Sequence, residues 1–527
     1  MRRITLLIFF SVLTIMPVLA GGIVTNTNQS AAYVRMLARD ASTDLDAVFY
    51  NPAALALLPE GFFVSINNQS IWQTQTVTNS YSYLNDDTYV GEISAPLFPG
   101  IYAAYKTGRF AFSVGFNPVG GGGGAIYNTG LPSFEINVAN LVPGLASMGI
   151  TSYSADIYFE GTSVFWGLQA GISFELNDYI SLYGGGRYLM AKNTYNGYIK
   201  DMTVYSADLQ GGKLATVFLT ELGDQATGGA TQLYGAASQL QPIIDGNLGS
   251  LTLQQAQDAG IIDAATHQML AGALTSIGVD PTMVDIASSQ GAFNMAADGY
   301  AAAAADAYAN AEATKDVEVD AKQDGTGFTP IIGAHFNLFD KKLNIGIKYE
   351  FATPLELTNS TVIDGSGLFP DGGITNNDMP GFLSIGASYQ ATEKLSLAGG
   401  YHKYFDTQVN WDGREEFISK DFIEVAFGLE YAVAENLVVS AGYLYAVTGA
   451  TDEYETDMSF SLNAHSLAFG GKFAVNENFD INLGVMFVSY FENEKLIRTG
   501  GSYMMNANET YDKSNVMFAI GADLKIF

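Results

Sequence analysis

The 527-residue chain has no cysteine, four histidines and only 15% charged residues. The missing cysteine excludes a disulfide scaffold, a thiolate metal site and a cysteine nucleophile. His267, His335, His402 and His465 are not spaced as His-Glu-x-x-His or any other metal-binding pattern, so no metal and no cofactor are expected. Positive charge is scarce. The 24 Lys and Arg face 54 Asp and Glu, a formal net charge of −30. A phosphate backbone would be repelled, which argues against nucleic acid as a partner. Beyond residue 20 no run reaches the roughly 18 apolar residues that a transmembrane helix needs. Abundant instead are Gly (57), Tyr (30) and Phe (33). This composition is too apolar for disorder and unlike that of a cytosolic enzyme.

The first 20 residues, MRRITLLIFFSVLTIMPVLA, pair a basic start with an apolar core. Val18-x-Ala20 has the small-residue form of a signal-peptidase site, so residues 1–20 are expected to be a signal peptide. The run is short for a membrane anchor and is broken by Pro17. No cysteine follows to carry a lipid.

A window with a period of two residues recurs after short turns. It reads GRFAFSVGF from Gly108, DYISLYGGG from Asp178 and KKLNIGIKY from Lys341. It returns as EKLSLAGGY from Glu393, ENLVVSAGY from Glu435 and ENFDINLGV from Glu477. Residues two apart share one face of a strand. In the third window Leu343, Ile345, Ile347 and Tyr349 therefore oppose Asn344, Gly346, Lys348 and Glu350. One face suits lipid and the other a polar lumen. Before the turns, a Gly is followed three residues later by an aromatic, as in Gly386/Tyr389, Gly428/Tyr431 and Gly470/Phe473. A membrane interface places its aromatic girdle there. Six turns, near Thr107, Asn177, Asp340, Thr392, Ala434 and Asn476, join twelve strands. One more strand near Phe62 to Thr74 and another near Val516 to Phe527 make fourteen. The fold class expected is all-β: a 14-stranded antiparallel transmembrane barrel over residues 61–527, closed because lipid tolerates no open sheet edge.

Connections on the other side are long. Residues 206–323 change composition, and Thr252 to Leu274 and Met295 to Ala313 read as helix. They are expected to form an extracellular Ala-rich helical insertion. Phe116 to Gly124 reads as a pliable loop on its five glycines. Residues 21–60 are too apolar for a free tail and lack strand alternation, so they are placed inside the lumen as a plug.

Catalytic chemistry finds little support. The glycines 120–124 are not followed by Gly-Lys-Ser/Thr, so they form no phosphate loop. His465 and Ser466 are adjacent on a strand and point to opposite faces. His335, His402, Glu430 and Lys472 fall on the inward phase and read as solvated lumen residues. The acidic pairs at Asp86-Asp87 and Asp452-Glu453 read as solvated loops, with divalent-ion bridging to surface lipid as the alternative.

Three features together resemble the FadL family of outer-membrane transporters for long-chain fatty acids and other hydrophobic compounds. They are the segment Ser30 to Leu58 with its Asn51-Pro52-Ala53, the fourteen strands, and Phe116-Asn117-Pro118-Val119-Gly120 near the end of the third strand. The resemblance covers the mature chain apart from the 206–323 insertion. It implies a barrel blocked by an N-terminal hatch, with Asn51, Pro52 and Ala53 in that hatch. It also implies passive uptake of fatty acids or aromatic compounds, with the ligand leaving sideways at a kink over Gly115 to Gly120. Outer-membrane lipid is then the surrounding partner, the cell envelope is Gram-negative, and one chain suffices. No ligand-pocket residue can be assigned by motif. The alternatives are a diffusion porin for polar solutes, and an adhesin or structural barrel acting through its outer loops.

Overall fold

The computed structural model describes residues 23–209, 211–500 and 503–527; the predicted signal peptide lies outside them. Two compact units divide the chain. Among the described residues, one comprises residues 23–136, 156–199 and 317–527, and the other residues 137–155 and 200–316.

The period-two segments are strands, which lie in the first unit apart from the ends 150–155 and 200–206. They are β1 Gly61–Asn79, β2 Thr88–Thr107, β3 Phe110–Tyr127, β4 Ile150–Asn177, β5 Ile180–Ser206 and β6 Val317–Leu338. Then come β7 (Leu343–Glu350, continued as Glu356–Asp364), β8 (Ile374–Asn376 and Phe382–Gln390) and β9 Leu395–Tyr404. The series ends with β10 Phe422–Ala434, β11 Leu437–Val447, β12 Ala464–Asn476, β13 (Phe479–Tyr490, continued as Asn493–Ile497) and β14 Ala507–Lys525. Each pairs with its neighbour in sequence, and β14 returns antiparallel onto β1 from Phe63↔Lys525 to Asn79↔Glu509. The sheet is thus a closed fourteen-stranded barrel. All six predicted short turns are present, and both ends of the barrel chain meet on their side, where Phe62 N–H donates to the Phe527 carbonyl.

The alternation sets what each face touches. Phe110, Phe112 and Val114 of β3 are exposed on the outer wall, as are Leu467 and Phe469 of β12 and Phe518 and Ile520 of β14. Between them, Ala111, Ser113, Ala468 and Ala519 are buried toward the interior. Tyr389, Tyr431 and Phe473 face outward near the short turns. An apolar belt flanked by aromatics is what a barrel wall in lipid requires.

Residues 23–57 lie inside this ring and are almost wholly buried. They contain two short helices, Ala31–Met36 and Ala47–Tyr50, and a 3₁₀ turn, Pro52–Leu57. Ser30 caps the first helix, accepting from Tyr33 N–H at 2.9 Å. The recurrent glycine near the end of each window explains how the segment fits. At Gly442 a Cβ would run into the Met36 backbone, and at Gly400 into the Asp40 carboxylate. A side chain on the inner wall there would occupy the space that the internal segment fills.

The second unit is helical. Its helices include Ala215–Asp245, Leu253–Asp258, Ala264–Ser276 and Ile286–Ala313, around a core that includes Leu240, Leu270 and Phe293. The sequence reading found the last three in part and missed the first. Gly223, Gly228, Gly229, Gly235 and Pro242 lower its intrinsic propensity. Packing overrides this, because Tyr308 lies against Gly223 and Tyr300 against Gly229. The expected insertion 206–323 also runs too far. Strand β6 begins at Val317, and its pairing with β5 reaches Ile199↔Val317.

The loop after β9 turns inward as well. Trp411 is buried there, and its indole N–H donates to the Asp378 carbonyl at 2.9 Å. Asp406 is fully buried, with Phe422 N–H donating to Oδ2 at 3.2 Å and no partner on Oδ1. Burial pushes its carboxyl up to about 8. The folded chain therefore holds a proton that the unfolded chain, near about 4, has released. Stability of this loop falls as pH rises from about 4 to about 8. Hydrogen exchange over residues 405–421 should be faster at pH 8.5 than at pH 5 after correction for intrinsic rates, and Asp406→Asn should remove the difference.

Candidate functional site

Among the described residues the ladder lapses over a long stretch at β2 and β3, and over a slightly shorter one at β6 and β7, where residues 325–330 and 351–357 have no ladder partner across. The β2–β3 ladder runs from Thr107↔Phe110 to Ile101↔Phe116 and resumes only at Ile93↔Ala125. Residues 94–100 and 117–124 have no ladder partner across this seam. Proline accounts for part of it. Pro96 and Pro99 on β2 and Pro118 on β3 have no N–H to donate. The sequence reading named Pro118 and passed over Pro96 and Pro99, which stand three apart in an otherwise strand-like run.

On β3 the seam bends inward. Residues 117–122 are buried in succession, in place of the alternation seen from Phe110 to Gly115. The segment read as a loop is held as strand by β4, through Asn117↔Gly167, Pro118↔Trp166 and Gly124↔Thr162, with register shifts at Gly120. Gly121 has φ +80° beside the Ser163 carbonyl, a conformation that a side chain would strain. Of the predicted kink residues, Gly115 and Phe116 still pair with β2, whereas Asn117, Pro118, Val119 and Gly120 lie in the seam, which extends to Gly124.

The unpaired β3 backbone finds its partners in the N-terminal arm of the internal segment. Asn26 N–H donates to the Val119 carbonyl at 2.9 Å, and Gly121 N–H to the Val24 carbonyl at 3.1 Å. The Asn26 amide donates to the Gly121 carbonyl at 2.9 Å and the Gln29 amide to the Pro118 carbonyl at 2.8 Å. The Asn117 amide donates to Gln29 Oε1 at 2.6 Å. The arm thus supplies from inside the bonds that β2 does not supply from the side. A recess of about 80 Å³ remains, lined by Asn26, Ile71, Ile93, Phe98, Pro118 and Trp166 among others. Ligand pockets run to roughly 300–1,000 Å³, so the seam is closed as it stands. Leu97 marks its outer lip, 78% exposed.

The rest of the internal segment is bolted around the wall. Asn51 caps the helix Ala47–Tyr50; its amide donates to the Ser42 carbonyl at 3.0 Å and lies 2.9 Å from His335 Nδ1. Ser173 donates to the Pro52 carbonyl at 2.6 Å and Ser181 to the Ala53 carbonyl at 2.7 Å. The three predicted hatch residues are therefore all wall contacts. Arg35 donates to Asn482 Oδ1 and Ser440 Oγ at 3.0 Å each and pairs with Glu430. Phe49 sits beneath Lys348 Nζ, 4.4 Å from its ring centroid, and 5.1 Å from the Arg187 guanidinium carbon. Both cations share Glu350, at 2.8 and 2.5 Å.

His335 and His402 are not solvated, contrary to the sequence reading; both are buried. The His402 ring bridges the segment and the wall, with Nε2 2.6 Å from Asp40 Oδ1 and Nδ1 2.7 Å from Glu424 Oε2. Ser384 donates to the same Asp40 oxygen at 2.6 Å, and Tyr404 to Glu424 at 2.9 Å. Periodicity placed these rings inward, but no local signal named their partners 284 to 362 residues away. His465 packs on the outside near Tyr443, Tyr445 and Phe491, while Ser461 and Ser466 are buried.

His402→Leu removes the bridging donor and leaves two buried carboxylates facing each other. Losing one member of a buried charged network costs about 3–5 kcal/mol. The internal segment should loosen while the strands persist, read as protease cleavage within residues 23–57 of a barrel that still migrates as folded. His402→Gln, able to donate to one carboxylate, should fall between the two.

No protein-family model matches the sequence, and no curated protein matches it. Solved structures do. A FadL homologue from Pseudomonas aeruginosa aligns over 96% of this chain and 100% of its own, at 13% identity and a TM-score of 0.58. A deletion mutant of the monoaromatic hydrocarbon channel TodX aligns over 95% of this chain and 99% of its own, at 13% identity and a TM-score of 0.50. At such identity the likeness speaks for the backbone alone. With the closed ring, the occupied bore and the β2–β3 seam, it makes this chain, in fold, a barrel of the FadL type.

Proposed function

We propose that the chain is an outer-membrane channel for passive uptake of hydrophobic compounds, with ligands leaving the barrel sideways through the β2–β3 seam. The observation that carries this reading is the seam itself, where the wall's own ladder lapses and the N-terminal arm supplies the bonds instead. Residues 1–20 direct export, one chain closes the barrel, and the helical insertion between β5 and β6 belongs to the outer surface. The apolar belt makes the surrounding partner outer-membrane lipid.

The physics favours a greasy cargo. A sideways route ends in hydrocarbon, where each CH₂ of an acyl chain gains about 0.8 kcal/mol over water. Long-chain fatty acids fit this gradient, and so do aromatic hydrocarbons of the kind that TodX is named for. A polar solute gains nothing by entering lipid, and a porin for such solutes needs an open bore. Here the bore holds residues 23–57.

The chain lacks cysteine, so a single introduced pair is a clean probe. Leu97→Cys and Gly122→Cys line opposite lips of the seam. Joining them with a short, cleavable bifunctional thiol reagent should lower uptake of a labelled long-chain fatty acid at least tenfold, with recovery on cleavage. Unchanged uptake after complete joining would reject the sideways route. Equal uptake of fatty acids and monoaromatics by cells with and without the chain would reject the channel altogether.

A further inference from the structure

The outer wall carries two polar side chains where lipid should permit none. Asn68 and Ser70 lie on the outward face of β1, between Ile66 and Trp72, which are exposed apolar residues. Their cross-strand neighbours on β14 are Ile520 and Phe518, both exposed to the same side. They therefore sit within the apolar belt and not at its rim.

Both serve β2 across the ladder. Gln69 pairs with Phe98 and Ile71 with Ala95, so Ser70 alone opposes two residues, Pro96 and Leu97. This is a β-bulge, with one residue left over on β2. A bulge frees backbone groups, and in hydrocarbon no water satisfies them. The Asn68 amide donates to the Pro96 carbonyl at 3.2 Å, and the Ser70 hydroxyl donates to the same oxygen at 3.0 Å. The Phe98 N–H donates back to Asn68 Oδ1 at 3.1 Å. Two side chains thus satisfy a carbonyl and an amide on the outside of the membrane wall.

The bulged residues are the β2 lip of the seam. Leu97 and Phe98 line the recess, and Pro96 and Pro99 bracket them. We infer that Asn68 and Ser70 are positioning residues that clasp this lip from the lipid side and hold the rim of the lateral opening in register. The inference rests on the seam being the ligand's route. On that reading the rim is held by two different devices. The arm 24–29 closes the seam from within and must leave for a ligand to pass, whereas the clasp fixes the lip from without and stays.

The test separates the clasp from the route. A spin label on Leu97→Cys reports the lip directly, because the chain has no other thiol. In the labelled background, Asn68→Leu with Ser70→Ala should at least double the label's mobility in bilayers, with barrel migration unchanged. In the thiol-free chain, the same double change should lower maximal fatty-acid uptake at least threefold, with the half-saturating concentration unmoved, because binding on the outer side is untouched. Ser70→Thr in place of Ser70→Ala keeps the hydroxyl and should restore part of both. If the double variant fails to fold, Ser70→Ala alone, which removes one oxygen, should show the same trend. An unchanged label overturns the clasp whatever uptake does. A freed label with unchanged uptake overturns its role in release, while the thiol bridge across the seam judges the route independently.

Discussion

A backbone in hydrocarbon must satisfy its own polar groups, because an unpaired N–H or C=O there costs several kcal/mol. Fourteen strands meet this demand by closing on themselves from β14 to β1. The demand is sharpest where closure lapses. Between Ile93↔Ala125 and Ile101↔Phe116 the two strands part, and each device found there answers the same need. Prolines delete donors, the arm at Val24 and Asn26 bonds β3 from inside, and Asn68 with Ser70 bonds β2 from outside. The seam is a tear whose edges are hemmed.

The interior obeys different rules from the wall. Barrel diameter grows with strand number, and fourteen strands enclose more than wall side chains alone fill; here the internal segment makes it a packed core. Inward glycines admit the segment's backbone, and charged wall residues meet counter-charges or carbonyls on the segment. Arg35, Lys348 and His402 are all buried, and each has at least one acidic partner. Unpaired, any of them would be costly so far from water. The segment and the wall are therefore complementary in charge as well as shape, and a change on one side exposes an unsatisfied group on the other.

This division assigns tasks to distinct parts. The belt holds the barrel in lipid, and the polar network holds the internal segment. At the seam the arm is held to the inward-bent stretch of β3 by fewer bonds than a full ladder would give. The proposed sideways release rests on this contrast between a paired wall and a stretch that borrows its partners from the internal segment.

Periodicity alone determined the wall. Alternation of two residues cannot be hidden, because every strand must show one face to lipid, and so the six turns, the strand number and the inward phase of His335 and His402 were all legible. The Asn51-Pro52-Ala53 segment was legible because it is apolar without alternating. The helix Ala215–Asp245 was not, since its glycines lower propensity and only the Tyr300 and Tyr308 rings laid against them reveal their use. Nor was the meaning of Asn68, Ser70, Pro96 and Pro99, which in sequence look like flaws in two strands. Their roles depend on which carbonyl the bulge exposes and on what stands across the seam. Those are contacts between residues far apart in the chain, so only the tertiary structure could decide them.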